Sequence, residues 1–280
     1  MKILPILLAA SLTVAAQAQE PLRIEGSNTF GEKLGPLLVR DFKKSNPGIP
    51  VELKRPGSGP GLAALIAGRA DIAPTSRPAN RSELLAAKKA GVKLRTQMIG
   101  NYGVAIIVNE ANPVKNLKPS QVRVLFNGKT ADWNKVRGTA APVNVYTLDR
   151  NTGARAGFQT LAMRGDQYSP SAKALPDYAA IVAAVAKDPN GIGYADMGPL
   201  PTGVRALLIN GEPPNSVSIY EQVYPYANSL YLYTMQGRET PAAKKFIRYA
   251  LSRNGQRIIQ KAGFVPRLAA PPGAMTSIAP

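Results

Sequence analysis

Apolar positions along the chain switch repeatedly between a period of two and a period near 3.6, and polar, glycine-bearing turns mark most of the switches. Leu22 to Glu25 predicts a short strand running into Gly26-Ser27-Asn28-Thr29, after which Phe30, Leu34, Leu37, Leu38 and Phe42 recur at helical spacing. Asn46-Pro47-Gly48 stops that helix, and Ile49 to Leu53 alternates as a second strand. Gly57-Ser58-Gly59-Pro60-Gly61 opens a small-residue helix over Leu62 to Ala67, and Asp71-Ile72-Ala73 leads into a short buried strand. Pro74-Thr75-Ser76-Arg77-Pro78 then precedes a helix over Arg81 to Ala90.

The remainder repeats the alternation. Val92 to Ile99 and Val104 to Val108 predict two strands, the second apolar enough to be covered on both faces. A helix follows over Pro119 to Phe126, and a strand over Val143 to Leu148 ends in Asp149-Arg150-Asn151-Thr152-Gly153-Ala154-Arg155, ahead of a helix carrying Phe158, Leu161 and Met163. Tyr178 to Ala186 is helical; Ile192 to Tyr194, Val204 to Ile209 and Leu230 to Tyr233 are strands. Thr240-Pro241 caps one last long helix over Ala242 to Lys261, and the Pro- and Ala-rich tail after Phe264 is expected to be loosely ordered. Strand and helix in alternation imply an α/β fold with largely parallel sheets. Polar turns at strand-to-helix junctions in both the first and the middle third point to two lobes. The last strand and helix look like the completion of an earlier sheet.

The N-terminus changes the compartment. Lys2 precedes the apolar run Ile3 to Ala16 and then Ala16-Gln17-Ala18, the pattern of a secretory signal cut after Ala18. No later stretch has about 20 uninterrupted apolar residues, so an exported, soluble chain is expected. The 280 residues contain no Cys and no His. Disulfides are therefore unavailable, and so are Ser/His/Asp and Cys/His nucleophile systems, histidine metal sites and four-thiolate zinc sites. Of three function classes, enzyme, small-ligand binder and polyanion-binding surface protein, the first has few tools in this sequence. The net charge of +18 favours anionic partners. Its basic residues come in scattered pairs such as Lys43-Lys44 and Lys88-Lys89 without a run of five, which speaks against nucleic acid.

Four polar turns sit at helix starts: Ser27-Asn28-Thr29, Gly57-Ser58-Gly59, Thr75-Ser76 and Arg150-Asn151-Thr152-Gly153. Each alone reads as an ordinary helix cap. Together they form a set of hydroxyls and free N–H groups suited to an oxyanion, with helix dipoles adding positive potential. Neither GxxxxGK[ST] nor GxGxxG is present, so a nucleotide site is unsupported.

With these motifs in order, the chain resembles the periplasmic phosphate-binding proteins of phosphate-specific ABC transporters, a branch of the type II solute-binding fold. The resemblance rests on Gly26 to Phe30, Gly57 to Gly61 with Asp71-Ile72-Ala73, Thr75-Ser76-Arg77, Asp149 to Arg155, Gly191-Ile192-Gly193-Tyr194, Tyr224-Pro225-Tyr226 and Phe264-Val265-Pro266. It implies two lobes, each a mainly parallel sheet flanked by helices, with a ligand cleft between them. Lobe I would span 19–98 plus 228–280 and lobe II 99–227, after a signal peptide over 1–18. It also implies a periplasmic, monomeric, non-enzymatic protein without cofactor or metal, which captures inorganic phosphate and docks on ABC-transporter membrane subunits. Ligand contacts carried over are Asn28, Thr29, Phe30, Ser58, Ser76, Arg150, Thr152, Gly153 and Ala154. At Ser76-Arg77 the chain matches the many relatives with Ser-Arg there, whereas others carry a proton-accepting Asp; two departures are that Thr152-Gly153-Ala154 replaces Ser-Gly-Thr and that Arg150 lies nearer that motif than usual. Sulfate, molybdate or a phosphonate remain alternatives of the same ligand class, and polyanion binding one of another class.

Overall fold

A computed structural model describes residues 20–150, 152–197 and 200–267. The expected signal peptide, Asn151 and the tail beyond Arg267 lie outside the described residues.

The first parallel unit is β1 (Leu22–Glu25) beside β2 (Val51–Lys54), with Ile24 bridging in parallel to Ile72 just ahead of β3 (Ala73–Thr75). Between β1 and β2 the chain makes a π turn over Phe30–Leu34 that continues into helix α1 (Gly35–Ser45). Helix α2 (Ser58–Ile66) links β2 to β3, and α3 (Arg81–Lys89) follows. The sequence pattern starts α2 only at Leu62, whereas the Gly57–Gly61 turn is itself its first turn. Pro60 is tolerated there because the leading N–H groups of a helix have no intrahelical partner.

Strand β4 (Leu94–Asn109) corrects the expectation of two separate strands. Gly100-Asn101-Tyr102-Gly103 reads as a break, yet it stays extended because Asn101 is buried and its Oδ1 accepts the Ser229 hydroxyl at 2.7 Å. Beyond β4 come β5 (Asn116–Leu117), α4 (Pro119–Phe126), β6 (Asn144–Leu148), α5 (Gly153–Met163), β7 (Lys173–Leu175), α6 (Tyr178–Lys187) and β8 (Gly191–Asp196). The single strand expected over Val204 to Ile209 is two: β9 (Val204–Ala206) pairs with β4, then β10 (Leu208–Ile209) turns to β5. Helix α7 (Ser216–Tyr220) leads to β11 (Ala227–Met235). The single long final helix is also two, α8 (Pro241–Leu251) and α9 (Arg253–Lys261). Ser252 leaves helical geometry at ψ 165° and caps the Gly255 N–H, a stop-and-restart signal hidden inside a continuous apolar pattern. The tail begins later than expected, since β12 (Val265–Pro266) pairs with Gly100 and Asn101 of β4.

The main sheet runs β3-β11-β4-β8-β6-β7, with β9 and β12 also on β4. Parallel pairing holds for β1/β2 and for β8/β6/β7. Every antiparallel pair of named strands involves β4 or β11, so the mainly parallel expectation fails where these two long strands cross between lobes. Both crossing strands change core along their length. Ile99, Leu230 and Leu232 join Leu22, Ile24 and Phe246 in one core, whereas Val104 to Val108 join Phe126, Phe158 and Tyr194 in the other.

Candidate functional site

Three of the four polar turns are stitched together by backbone bonds in the first lobe. Ser27 N–H donates to the Pro74 carbonyl at 2.8 Å, and Gly57 N–H donates to that of Gly26 at 2.9 Å. Ser58 Oγ accepts the Ser76 N–H at 3.2 Å and lies 3.4 Å from the Ser76 hydroxyl. The Tyr102 hydroxyl donates to the Ser76 carbonyl at 3.3 Å, so the crossing strand β4 braces the third turn. Helix α2 can approach this closely because Gly61 has no side chain; a Cβ there would overlap the backbone of Glu25 and Gly26. Asn28, Thr29, Ser58, Ser76, Arg77 and Tyr102 thus border a pocket of 400 Å3.

The second lobe closes that pocket with Gly153, Gly157 and Thr160 of α5. A Cβ on Gly153 would overlap the Asn28 side chain, so glycine is required where the lobes touch. The start of α5 is already well supplied with acceptors. Thr152 Oγ1 accepts the Arg155 N–H at 3.3 Å, and Glu32 Oε1 reaches across the cleft to the Gly153 N–H at 3.2 Å. A second interlobe contact joins Lys33 Nζ to Asp196 at 2.6 Å. The pair is half-exposed and is worth about 0–1 kcal/mol.

Charge in the pocket comes from Arg77, whose guanidinium grips Glu83 at 2.7 and 2.8 Å. The same guanidinium holds the Glu83 carboxyl below the ordinary carboxylate range. Burial raises the Tyr102 phenol, which therefore stays protonated and remains a donor at neutral pH. Among the described residues no carboxylate borders the pocket, and no cluster of three acidic side chains is placed to hold a metal. The chemistry on offer is hydrogen-bond donation and positive potential at helix starts. Beside the pocket lies a second cavity of 220 Å3, bordered by Ala154, Phe158, Tyr178, Met197 and Phe264.

Of the residues singled out in sequence, Asn28, Thr29, Ser58, Ser76 and Gly153 meet at the pocket, and Ala154 borders the second cavity. The Phe30 side chain is 1% exposed in the first-lobe core, leaving only its amide at the turn. Arg150 is exposed and Thr152 is engaged as a cap; neither borders these two cavities. Arg155 turns away, donating to the Leu148 carbonyl at 2.7 Å with its guanidinium 4.1 Å from the Tyr168 ring centre. Asp71 is spent on Arg23 at 3.0 Å. Sequence reasoning passed over Tyr102, Gly157, Thr160, Asn228 and Glu32. Tyr102 left a readable trace, in the Asn101-Tyr102 step just ahead of the apolar run Val104 to Val108; the others look like ordinary surface residues.

Residues 13–254 match the PBP superfamily domain. The phosphate-binding protein PstS of Pseudomonas aeruginosa is 27% identical over 268 residues, covering 86% of this chain and 81% of its own. An ABC-type phosphate transport receptor from Vibrio cholerae superposes with a TM-score of 0.78 at 25% identity, covering 87% of this chain and 99% of its own. A putative phosphate ABC transporter substrate-binding protein from Clostridium perfringens, solved with bound phosphate, gives 0.66 at 25% identity over 88% and 99%. Matched over most of its length by the family and by two-lobed receptor structures, the chain belongs to the PBP superfamily.

Proposed function

We propose that this protein is an exported, periplasmic receptor that captures inorganic phosphate between its lobes and presents it, as a monomer, to the membrane subunits of an ABC importer. The observation that carries the reading is the convergence of Asn28, Thr29, Ser58, Ser76, Arg77 and Tyr102 on one 400 Å3 pocket faced by the start of α5. The receptors similar to it by name and structure support the same ligand. In this reading the amides of Phe30 and Ala154 add donors at the helix starts, the Gly153 amide joins them only when Glu32 releases it, and Arg150 and Thr152 flank the site without a contact on which affinity depends. Hydrogen bonds to a charged ligand contribute about 1.5–3 kcal/mol each, so six to eight exceed the roughly 8 kcal/mol of micromolar affinity after ordering and desolvation. Lobe I is taken as 19–98 plus 228–280 and lobe II as 99–227. The change of core between Ile99 and Val104 on β4 supports that division.

The test is calorimetric titration of inorganic phosphate into protein unfolded and refolded to strip bound anion, with sulfate and molybdate alongside. One-to-one binding at micromolar or tighter, lost in the Thr29→Ala/Ser58→Ala double variant, is the expected result. Failure of phosphate to bind would overturn the reading.

A further inference from the structure

The 220 Å3 cavity shares Thr29, Tyr102, Gly157 and Leu161 with the oxyanion pocket, so the two compartments adjoin along one wall. Their linings differ in kind. The pocket is bordered by hydroxyls, amides and a guanidinium, whereas the cavity is bordered by Val104, Phe158, Leu161, Tyr178, Met197 and Phe264 together with the charged Glu32, Lys33 and Asp196. These charged groups already have partners: Lys33 holds Asp196 at 2.6 Å, and Glu32 takes the Gly153 N–H at 3.2 Å. Nothing in the cavity therefore calls for a charged occupant. An engineered apolar cavity of about 150 Å3 accepts benzene, so this one is large enough for a ring or a short alkyl chain.

The pocket's chemistry points the same way. Inorganic phosphate retains a proton at neutral pH and is best recognised by a carboxylate acceptor, and no carboxylate borders the pocket among the described residues. A phosphate monoester has its second pKa near 6. At neutral pH it is chiefly a dianion, all acceptor, which suits a wall of donors.

Resting on the phosphate-receptor reading, we propose that the natural ligand class includes monosubstituted phosphoryl dianions, phosphomonoesters or phosphonates. The –PO3 group occupies the oxyanion pocket, and a small, uncharged, apolar substituent occupies the adjoining cavity. Such ligands bind more tightly than inorganic phosphate, because the apolar contacts of the substituent outweigh the hydrogen bonds lost with the fourth terminal oxygen.

The experiment titrates stripped protein with inorganic phosphate, phenyl phosphate and phenylphosphonate, each also in competition with the others. It is repeated on Met197→Trp, which fills the cavity, and Met197→Ala, which enlarges it; Met197 borders the cavity and not the oxyanion pocket. The expected result is a preference for the phenyl ligands of at least about tenfold, the scale of discrimination an apolar pocket achieves. That preference is abolished in Met197→Trp and kept or increased in Met197→Ala, with phosphate affinity steady across all three proteins. If phosphate binds and the phenyl ligands bind no better, the inference fails while the receptor reading stands. If the preference exists but neither variant alters it, the cavity assignment fails. If no phosphoryl compound binds, the receptor reading itself is overturned. Should Met197→Trp fail to fold, Met197→Phe takes its place as the filling variant, and a preference that Met197→Phe leaves unchanged overturns the cavity assignment.

Discussion

Helices α2 and α5 both begin at the oxyanion pocket behind a glycine-bearing polar turn, yet their first turns are satisfied to different degrees. Helix α2 starts after Gly57, in an extended left-handed conformation at φ 115°, with no side-chain cap. Ser58 and Gly59 at its start border the pocket and no capping side chain takes their N–H groups, and the nearby hydroxyls of Ser58 and Ser76 stand 3.4 Å apart. Helix α5 starts after Thr152, which caps Arg155, and Glu32 from the other lobe takes its first N–H. Its one adjacent cation with a defined contact, Arg155, is turned onto Tyr168 and the Leu148 carbonyl. The same kind of motif thus does different work. The α2 turn is left open toward a ligand, while the α5 turn is closed by protein groups and serves mainly to bring one lobe against the other. A saturated helix start has little left to give an anion, since the dipole acts largely through its free N–H groups.

That contrast can be broken or sharpened by substitution. The largest effect is expected from Phe158→Ala: this ring on α5 stacks on Tyr194 with centroids 3.9 Å apart and is 1% exposed. Its loss should lower stability by about 3–5 kcal/mol in denaturant unfolding. A cost under about 1 kcal/mol would mean that α5 is not anchored as described. Next, Ser58→Ala should weaken phosphate binding by about 10- to 100-fold, the value of one hydrogen bond to a charged ligand, with little change in the thermal midpoint. Thr152→Ala should do the reverse, removing a cap worth about 1 kcal/mol while leaving affinity nearly intact. Equal affinity losses in Ser58→Ala and Thr152→Ala would erase the distinction between the two helices.

A smaller change is expected from Glu32→Ala, which frees the Gly153 N–H and removes negative charge from the cleft. Phosphate affinity should rise about two- to fivefold at low salt, in line with about 0.3–1 kcal/mol for a charge at a helix start. A fall in affinity would instead identify Glu32 as the acceptor for the proton of bound phosphate. The smallest effect belongs to Arg150→Ala. Exposed and away from both cavities, Arg150 should alter affinity by no more than about twofold, and the difference should vanish as salt screens it. A tenfold loss would place Arg150 on the ligand in the closed, occupied state.

Much of the architecture was legible from local pattern. The strand Leu22–Glu25 and the helix Pro119–Phe126 fall where hydrophobic period and capping residues place them. Both are short elements with one buried face, so burial and period coincide. The pattern failed where a local signal was overruled from a distance. Gly100 to Gly103 carries every mark of a turn, but β11 and β12 hold it extended from 120 or more residues away. At Ser252 the opposite happened, and a genuine cap was masked by apolar residues that keep period across two helices.

The candidate site divides along the same line. Residue types, their order and the turns that carry them determined that the chain offers hydroxyl and amide donors at helix starts, without histidine or cysteine chemistry. Which donors remain free was decided only by the tertiary structure. Glu32 meets Gly153 across 121 positions, Tyr102 braces Ser76 from a crossing strand, and the apolar cavity exists only where Phe158, Met197 and Phe264 meet. Local sequence sets what each turn can donate through short-range backbone geometry. Long-range packing sets what competes for those donors, and no periodicity along the chain encodes that.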